Sequence, residues 1–142
     1  MIRRWEEKDV ALIAQLERRC FQDAWTEQML RETNDNPLYH CFLVEEEGQV
    51  CGYCCLFVLF EDAEVLNIAV DEAYRGRGYA KEMMKKMHAY AKSLGAERSL
   101  LEVRVGNQPA RALYESFGYE TYGVRERYYA DGEDACLMEK RL

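Results

Sequence analysis

The sequence predicts an α/β fold. Three features predict it. Apolar runs of strand length alternate along the 142 residues with segments whose apolar positions recur every three to four residues. Leu66–Met84 reads as strand, polar turn, glycine-containing turn and helix in immediate succession. Leu100–Tyr119 repeats the passage from strand to helix, with Asn107 at the junction. A chain of this length buries roughly two thirds of its unfolded surface, and residues 1–142 are expected to form one domain.

Taken in order, Met1–Arg4 is a weak first strand. Asp9 starts a helix with apolar Val10, Ile13, Leu16 and Cys20, and Thr26 caps a second, short one. Tyr39–Val44 and Gln49–Phe60 read as hairpin strands around Glu45-Glu46-Glu47-Gly48. Leu66–Val70 is a short buried strand. Gly78–Leu94 is a helix with Ala80, Met83, Met84, Met87, Ala91 and Leu94 at helical spacing, ended by Gly95. Ser99–Val105 is another strand. Asn107 caps a helix with Pro109 in its first turn and Gly118 beyond its end. Tyr119–Tyr129 and Glu133–Arg141 read as a last hairpin around Asp131-Gly132, a type I′ turn signal. The order is β-α-α-β-β-β-α-β-α-β-β, without linkers or repeats.

Composition narrows the function. The net charge of −7 would repel phosphate backbones, so nucleic acid is not an expected partner, whereas a basic protein is. The N-terminal residues lack the apolar core of a signal peptide, and the longest apolar run, Tyr53–Phe60, is far too short to span a bilayer. No membrane partner is expected. Six cysteines include the C-x-x-C of Cys51 and Cys54, but it lies inside a strand-like run, where residues three apart point to opposite faces. With Cys20, Cys41 and Cys136 scattered, packed reduced thiols in a cytoplasmic protein are the expectation, with no metal site.

The Leu66–Met84 segment makes an anion site. The free N–H groups of a first helical turn point outward, and the aligned peptide dipoles favour negative charge there. Gly76 and Gly78 lack Cβ atoms, so a phosphate can approach the backbone, and Arg75, Arg77 and Lys81 flank them. The spacing is neither that of a P-loop nor that of a dinucleotide fingerprint.

Arg75, Gly78 and Ala80 meet the [Q/R]-x-x-G-x-[G/A] signature, and here the chain resembles the GNAT superfamily of acetyl-CoA-dependent N-acetyltransferases. Asn107, Ala110, Leu113, Tyr114, Gly118 and Tyr119 meet a second hallmark, N-x-x-A-x-x-L-Y-x-x-x-G-[FY]. Leu101-Glu102-Val103-Arg104 before it and Arg125–Met138 after it narrow the likeness to the ribosomal-protein-alanine N-acetyltransferases, the RimI group. Trp25-Thr26 fits that group's Pro-Trp-[Ser/Thr] element, with Ala24 in place of the proline. The resemblance covers nearly the whole chain and implies a mixed, mostly antiparallel central sheet flanked by helices on both faces.

It also implies roles. Acetyl-CoA is the co-substrate and no metal is needed. Its pantetheine arm would lie along Ile68, Ala69 and Val70, and its pyrophosphate among Arg75, Gly76, Arg77, Gly78, Tyr79, Ala80 and Lys81, with Asn107 adding a polar contact. A backbone N–H at the end of the Ile68–Val70 strand would meet the oxyanion. Glu102 would accept the amine's proton and Tyr114 would protonate the departing thiolate. The acceptor would be the N-terminal α-amine of a basic protein, an alanine of a small-subunit ribosomal protein. From pattern alone, Glu102 reads as an ion-pair partner of Arg104 or of another cation on a polar face, Tyr114 as a core aromatic and Asn107 as a helix cap. Transfer to a lysine or a small amine, and a non-catalytic acyl-CoA-binding regulator, are the alternatives.

Overall fold

The computed structural model describes residues 1–142. Its elements are β1 (Ile2–Arg4), α1 (Val10–Cys20), α2 (Glu27–Asp35), β2 (Tyr39–Glu46), β3 (Gln49–Leu59), β4 (Asp62–Val70), α3 (Tyr79–Ser93), β5 (Arg98–Arg104), α4 (Gln108–Ser116), β6 (Glu120–Arg125) and β7 (Ala135–Arg141). Seven strands form one sheet in the order β1-β2-β3-β4-β5-β7-β6. Only β4 and β5 are parallel neighbours, joined across one face by α3. No helix is long and apolar enough to cross a membrane.

Each sheet face carries its own core. On one face Met83, Met84, Met87 and Ala91 of α3 and Tyr114 of α4 pack on Leu56, Val65, Leu101 and Val103. Met83, Met84 and Met87 are fully buried, and each contributes about 1.5–3 kcal/mol of transfer free energy. On the other face Val10, Ile13, Ala14 and Leu16 of α1 and Leu30 of α2 pack on Leu43, Tyr53 and Cys55. The expected mixed, mostly antiparallel sheet with helices on both faces is the fold observed.

The helix boundaries follow local chemistry. Thr26 accepts from the Met29 N–H at 3.2 Å and starts α2. Asn107 does the same for α4 through Ala110 at 3.2 Å. Asp9 differs from expectation: it makes no cap bond to α1. Its carboxylate accepts instead from the Glu6 N–H at 2.8 Å and both terminal nitrogens of Arg3, closing a short 3-10 turn and tying it to β1.

Three other expectations are corrected. Strand β4 begins at Asp62 rather than Leu66, because Phe60-Glu61 makes a two-residue turn with Phe60 at φ 56°. Nothing but a strained phenylalanine marks that turn, so the sequence pattern is blind to it. The last hairpin is not closed by a type I′ turn at Asp131-Gly132. Strand β6 stops at Arg125 and β7 starts at Ala135, and only Gly132 of the pair has positive φ. Arg104 holds Asp131 at 2.8 Å and Glu133 at 3.0 Å, which draws the chain into a wide loop. Finally, Cys51 and Cys54 pack in the same core rather than on opposite faces. Val44 pairs with Gly52 and Glu45 with Val50, so Cys51 is the extra residue of a bulge that resets the alternation. All six cysteines are free thiols.

Candidate active site

A second bulge, in β4, shapes the centre of the molecule. Cys55 opposes Asn67 and Leu56 opposes Val65, leaving Leu66 as the extra residue. Just there the parallel pairing ends: Val65 opposite Leu101 is the last β4–β5 pair, while β4 runs on to Val70 and β5 to Arg104. The sheet therefore splits. Beyond the split, the Asp71 N–H donates to the Cys51 carbonyl at 2.7 Å. Antiparallel alternation then turns Ala69 and Asn67 toward β3, and the N–H and C=O groups of Ile68 and Val70 toward the gap. The Val70 carbonyl is accordingly the one that accepts from Arg75 Nε at 3.1 Å.

A cavity of about 490 Å³ occupies the gap. Of the residues expected to handle the co-substrate, Ile68, Ala69, Val70, Arg75, Gly76, Gly78, Tyr79, Ala80, Lys81 and Asn107 line it, and so does Tyr114. The loop into α3 has the properties of an anion cradle. Gly76 and Gly78 sit at φ 82° and 84°, with no atom within 4 Å of where a Cβ would be. The six successive amides of residues 76–81 donate to no protein acceptor, and the last three open a fifteen-residue helix. These features fit a pyrophosphate.

Arg77 is placed otherwise. Its guanidinium bonds Glu46 at 2.8 Å and stacks over Tyr74 at 5.0 Å, outside the cavity lining. The Tyr79 hydroxyl also donates to Glu46, while Tyr79 itself lines the cavity.

Tyr114 is 7% exposed, and its hydroxyl has no partner within the protein. Burial, reinforced by Tyr119 and Tyr129, raises its pKa above the ordinary phenol value, so it is protonated at neutral pH. Tyr119 backs its ring edge-on at 5.9 Å and is held in turn by Ser99 at 2.6 Å and His88 at 2.7 Å.

Glu102 is the first residue of β5 beyond the last β4 pair, and its side chain leaves from the face opposite Leu101 and Val103. It does not line the cavity. Nor does it pair with Arg104, which binds Asp131 and Glu133 and reaches Asp23 at 3.8 Å. Its nearest cation is Arg125, at 3.7 Å and half exposed, and the carboxylate raises the pKa of the neighbouring Tyr128 phenol. Glu64 of β4 leaves the same face of the sheet. Burial first and Glu102 second hold its pKa above the usual carboxylate value. Arg104 thus brings two loops, α1–α2 through Asp23 and β6–β7 through Asp131 and Glu133, to the rim around Glu102.

Sequence reasoning gave no site role to Cys20 and Phe21, which line the cavity from the end of α1, or to Tyr74 and Pro109, and named Ala110 and Leu113 only as hallmark positions, although all of them line the cavity. Cys20 and Phe21 belong to no phosphate or catalytic motif, and only the packing of α1 across the sheet brings them there. A second concavity of about 510 Å³ lies between Arg98, Gly118, Glu120, Glu139, Lys140 and Arg141, and contains none of the expected residues.

The acetyltransferase (GNAT) family profile matches residues 10–119, from α1 through the end of the second hallmark. The chain belongs to that family. It is 34% identical, over 96% of its length and 92% of the relative's, to a putative ribosomal protein bS18-alanine N-acetyltransferase of Bacillus subtilis. It is 30% identical to the ribosomal protein bS18-alanine N-acetyltransferase of Escherichia coli K12, over 94% of this chain and 91% of that one. Among solved structures, the E. coli ribosomal-protein-S18-alanine N-acetyltransferase superposes with a TM-score of 0.91, covering 99% of this chain and 92% of the other at 28% identity. The protein is an acetyl-CoA-dependent N-acetyltransferase.

Proposed function

We propose that this N-acetyltransferase acetylates the N-terminal α-amine of a protein, an N-terminal alanine of a small-subunit ribosomal protein. The observation that carries this reading is the similarity over nearly the full chain to relatives named for that activity, together with the Glu102 carboxylate at the rim of the split sheet.

The amides of residues 76–81 hold the pyrophosphate and the exposed edge of β4 aligns the pantetheine arm. Glu102 accepts the proton of the attacking amine, directly or through one water, as nitrogen bonds to the thioester carbon. The oxyanion formed there takes a hydrogen bond from an Ile68 or Val70 N–H, which is already oriented toward the gap. As the carbon–sulfur bond breaks, Tyr114 donates its hydroxyl proton to the thiolate. Its raised pKa keeps that proton in place until sulfur needs it.

One carboxylate suffices for an α-amine. With a pKa of about 7.7–8.0, roughly a tenth or more is neutral near pH 7, against less than about 0.1% of a lysine amine near 10.4. The charge of −7 also favours a basic acceptor. Peptides with a free N-terminal alanine followed by basic residues are expected to be acetylated at the α-amine, and N-blocked peptides carrying lysine are not. Their kcat/KM is expected to fall as salt rises. A product acetylated mainly on lysine, or equal rates on polyamines, defeats the N-terminal reading. Absence of thiol release with any amine supports a regulator instead.

A further inference from the structure

Glu17 is a charged side chain that the chemistry above does not use, and it is 1% exposed. It lies on the inward face of α1, where a leucine or isoleucine would serve packing. One carboxylate oxygen accepts from the Tyr53 hydroxyl of β3 and from Asn67 Nδ2 of β4 at 2.7 Å. The other accepts from the backbone N–H of Trp25 at 2.8 Å. Asn67 stands next to the β4 bulge, one residue before Ile68, and the bulge turns it toward α1. Trp25 precedes the cap of α2, in the loop that begins at the cavity with Cys20 and Phe21 and passes Asp23 beside Arg104. A buried carboxylate with three donors is satisfied, but it costs desolvation that an apolar residue would not.

We infer that Glu17 is a positioning residue for the acceptor: it anchors the α1–α2 loop to β4 where the sheet splits, so that the loop stands as one wall of the opening in front of Glu102. The inference rests on the proposed acceptor site, with the amine approaching from the Glu102 face. The two oxygens divide the labour. One ties α1 to the sheet, and the other reaches only the loop.

That division supplies the test. In Glu17→Gln the amide oxygen can keep Tyr53 and Asn67, while its NH₂ group meets the Trp25 N–H, donor against donor. The core contact survives and the loop contact is lost. Glu17→Asp, one methylene shorter, loosens the same contact and serves if the glutamine variant does not fold. Tyr53→Phe removes a core bond and leaves the loop contact. For Glu17→Gln and Glu17→Asp, KM for an alanine-terminated peptide is expected to rise about 5- to 20-fold, with KM for acetyl-CoA within about twofold. Tyr53→Phe is expected to lower the melting temperature with little change in acceptor KM. An acceptor KM within twofold of wild type in both Glu17 variants, or a rise as large in Tyr53→Phe, overturns the inference. If wild type acetylates lysine peptides instead, the N-terminal reading fails while Glu17 is judged on acceptor KM for those peptides.

Discussion

Glu102 and Tyr114 lie on opposite faces of the sheet: Glu102 leaves β5 toward the α1–α2 side, while Tyr114 belongs to the core under α3 and α4. If the two serve one reaction as base and acid, they do so through an opening in the sheet, and the split beyond the Val65–Leu101 pair is such an opening. On the proposed mechanism, cofactor and acceptor approach from different sides.

Glu102→Gln is expected to keep the fold and acetyl-CoA affinity while lowering kcat by about 10²–10⁴. Its carboxylate is partly exposed and its contact with Arg125 at 3.7 Å is long, so loss of charge leaves nothing buried and unpaired. Tyr114→Phe is expected to lower kcat with acetyl-CoA binding nearly unchanged. Steady-state kinetics with calorimetric binding checks both, and wild-type rates would return the two residues to a packing role.

Gly78→Asp is expected to abolish the rise in melting temperature that acetyl-CoA produces. The substitution sets a carboxylate against the pyrophosphate at a backbone φ of 84°. Strain alone is controlled by Gly48→Asp, whose φ of 79° is similar but which lies in the β2–β3 turn. That variant is expected to keep the ligand-induced shift. Equal shifts in both variants would place the phosphate elsewhere.

Arg77→Ala is expected to change acetyl-CoA affinity less than about threefold, because its guanidinium is committed to Glu46 and Tyr74. Lys81→Ala, at the cavity, is expected to weaken binding more. A larger loss for Arg77 in a titration would show that its side chain swings to the phosphate.

His88 makes stability depend on pH. Burial, with Lys140 adding, lowers its pKa from 6.5 to about 4. Between about pH 6.5 and 4 the unfolded chain binds a proton that the native state refuses, so the contribution is complete above 6.5 and lost as pH falls through that window. The melting temperature is expected to drop from pH 7 to 4.5, and less steeply in His88→Gln. Parallel curves for the two proteins would assign the acid sensitivity to other groups.

The local chemistry of the strand-to-helix junctions was legible in the sequence because it is built from adjacent residues. Gly76 and Gly78 before α3, Thr26 before α2 and Asn107 before α4 act on backbone groups a few positions away. Helical spacing likewise named Met83, Met84 and Met87 as the buried stripe. The Phe60-Glu61 turn escaped because neither residue type favours positive φ, and the β6–β7 loop because Arg104, over twenty residues away, gathers its carboxylates.

The order of strands, helices and signature residues thus sufficed to determine the family and to nominate residues for its chemistry. Which of them meet was decided by tertiary structure. The bulge at Leu66 turns Asn67 to Glu17, the end of pairing at Leu101 opens the sheet, and Glu46 draws Arg77 away from the loop it flanks. Each depends on a partner thirty or more residues distant in sequence, or on an extra residue that reverses a strand's alternation. A periodicity read along one chain segment contains neither.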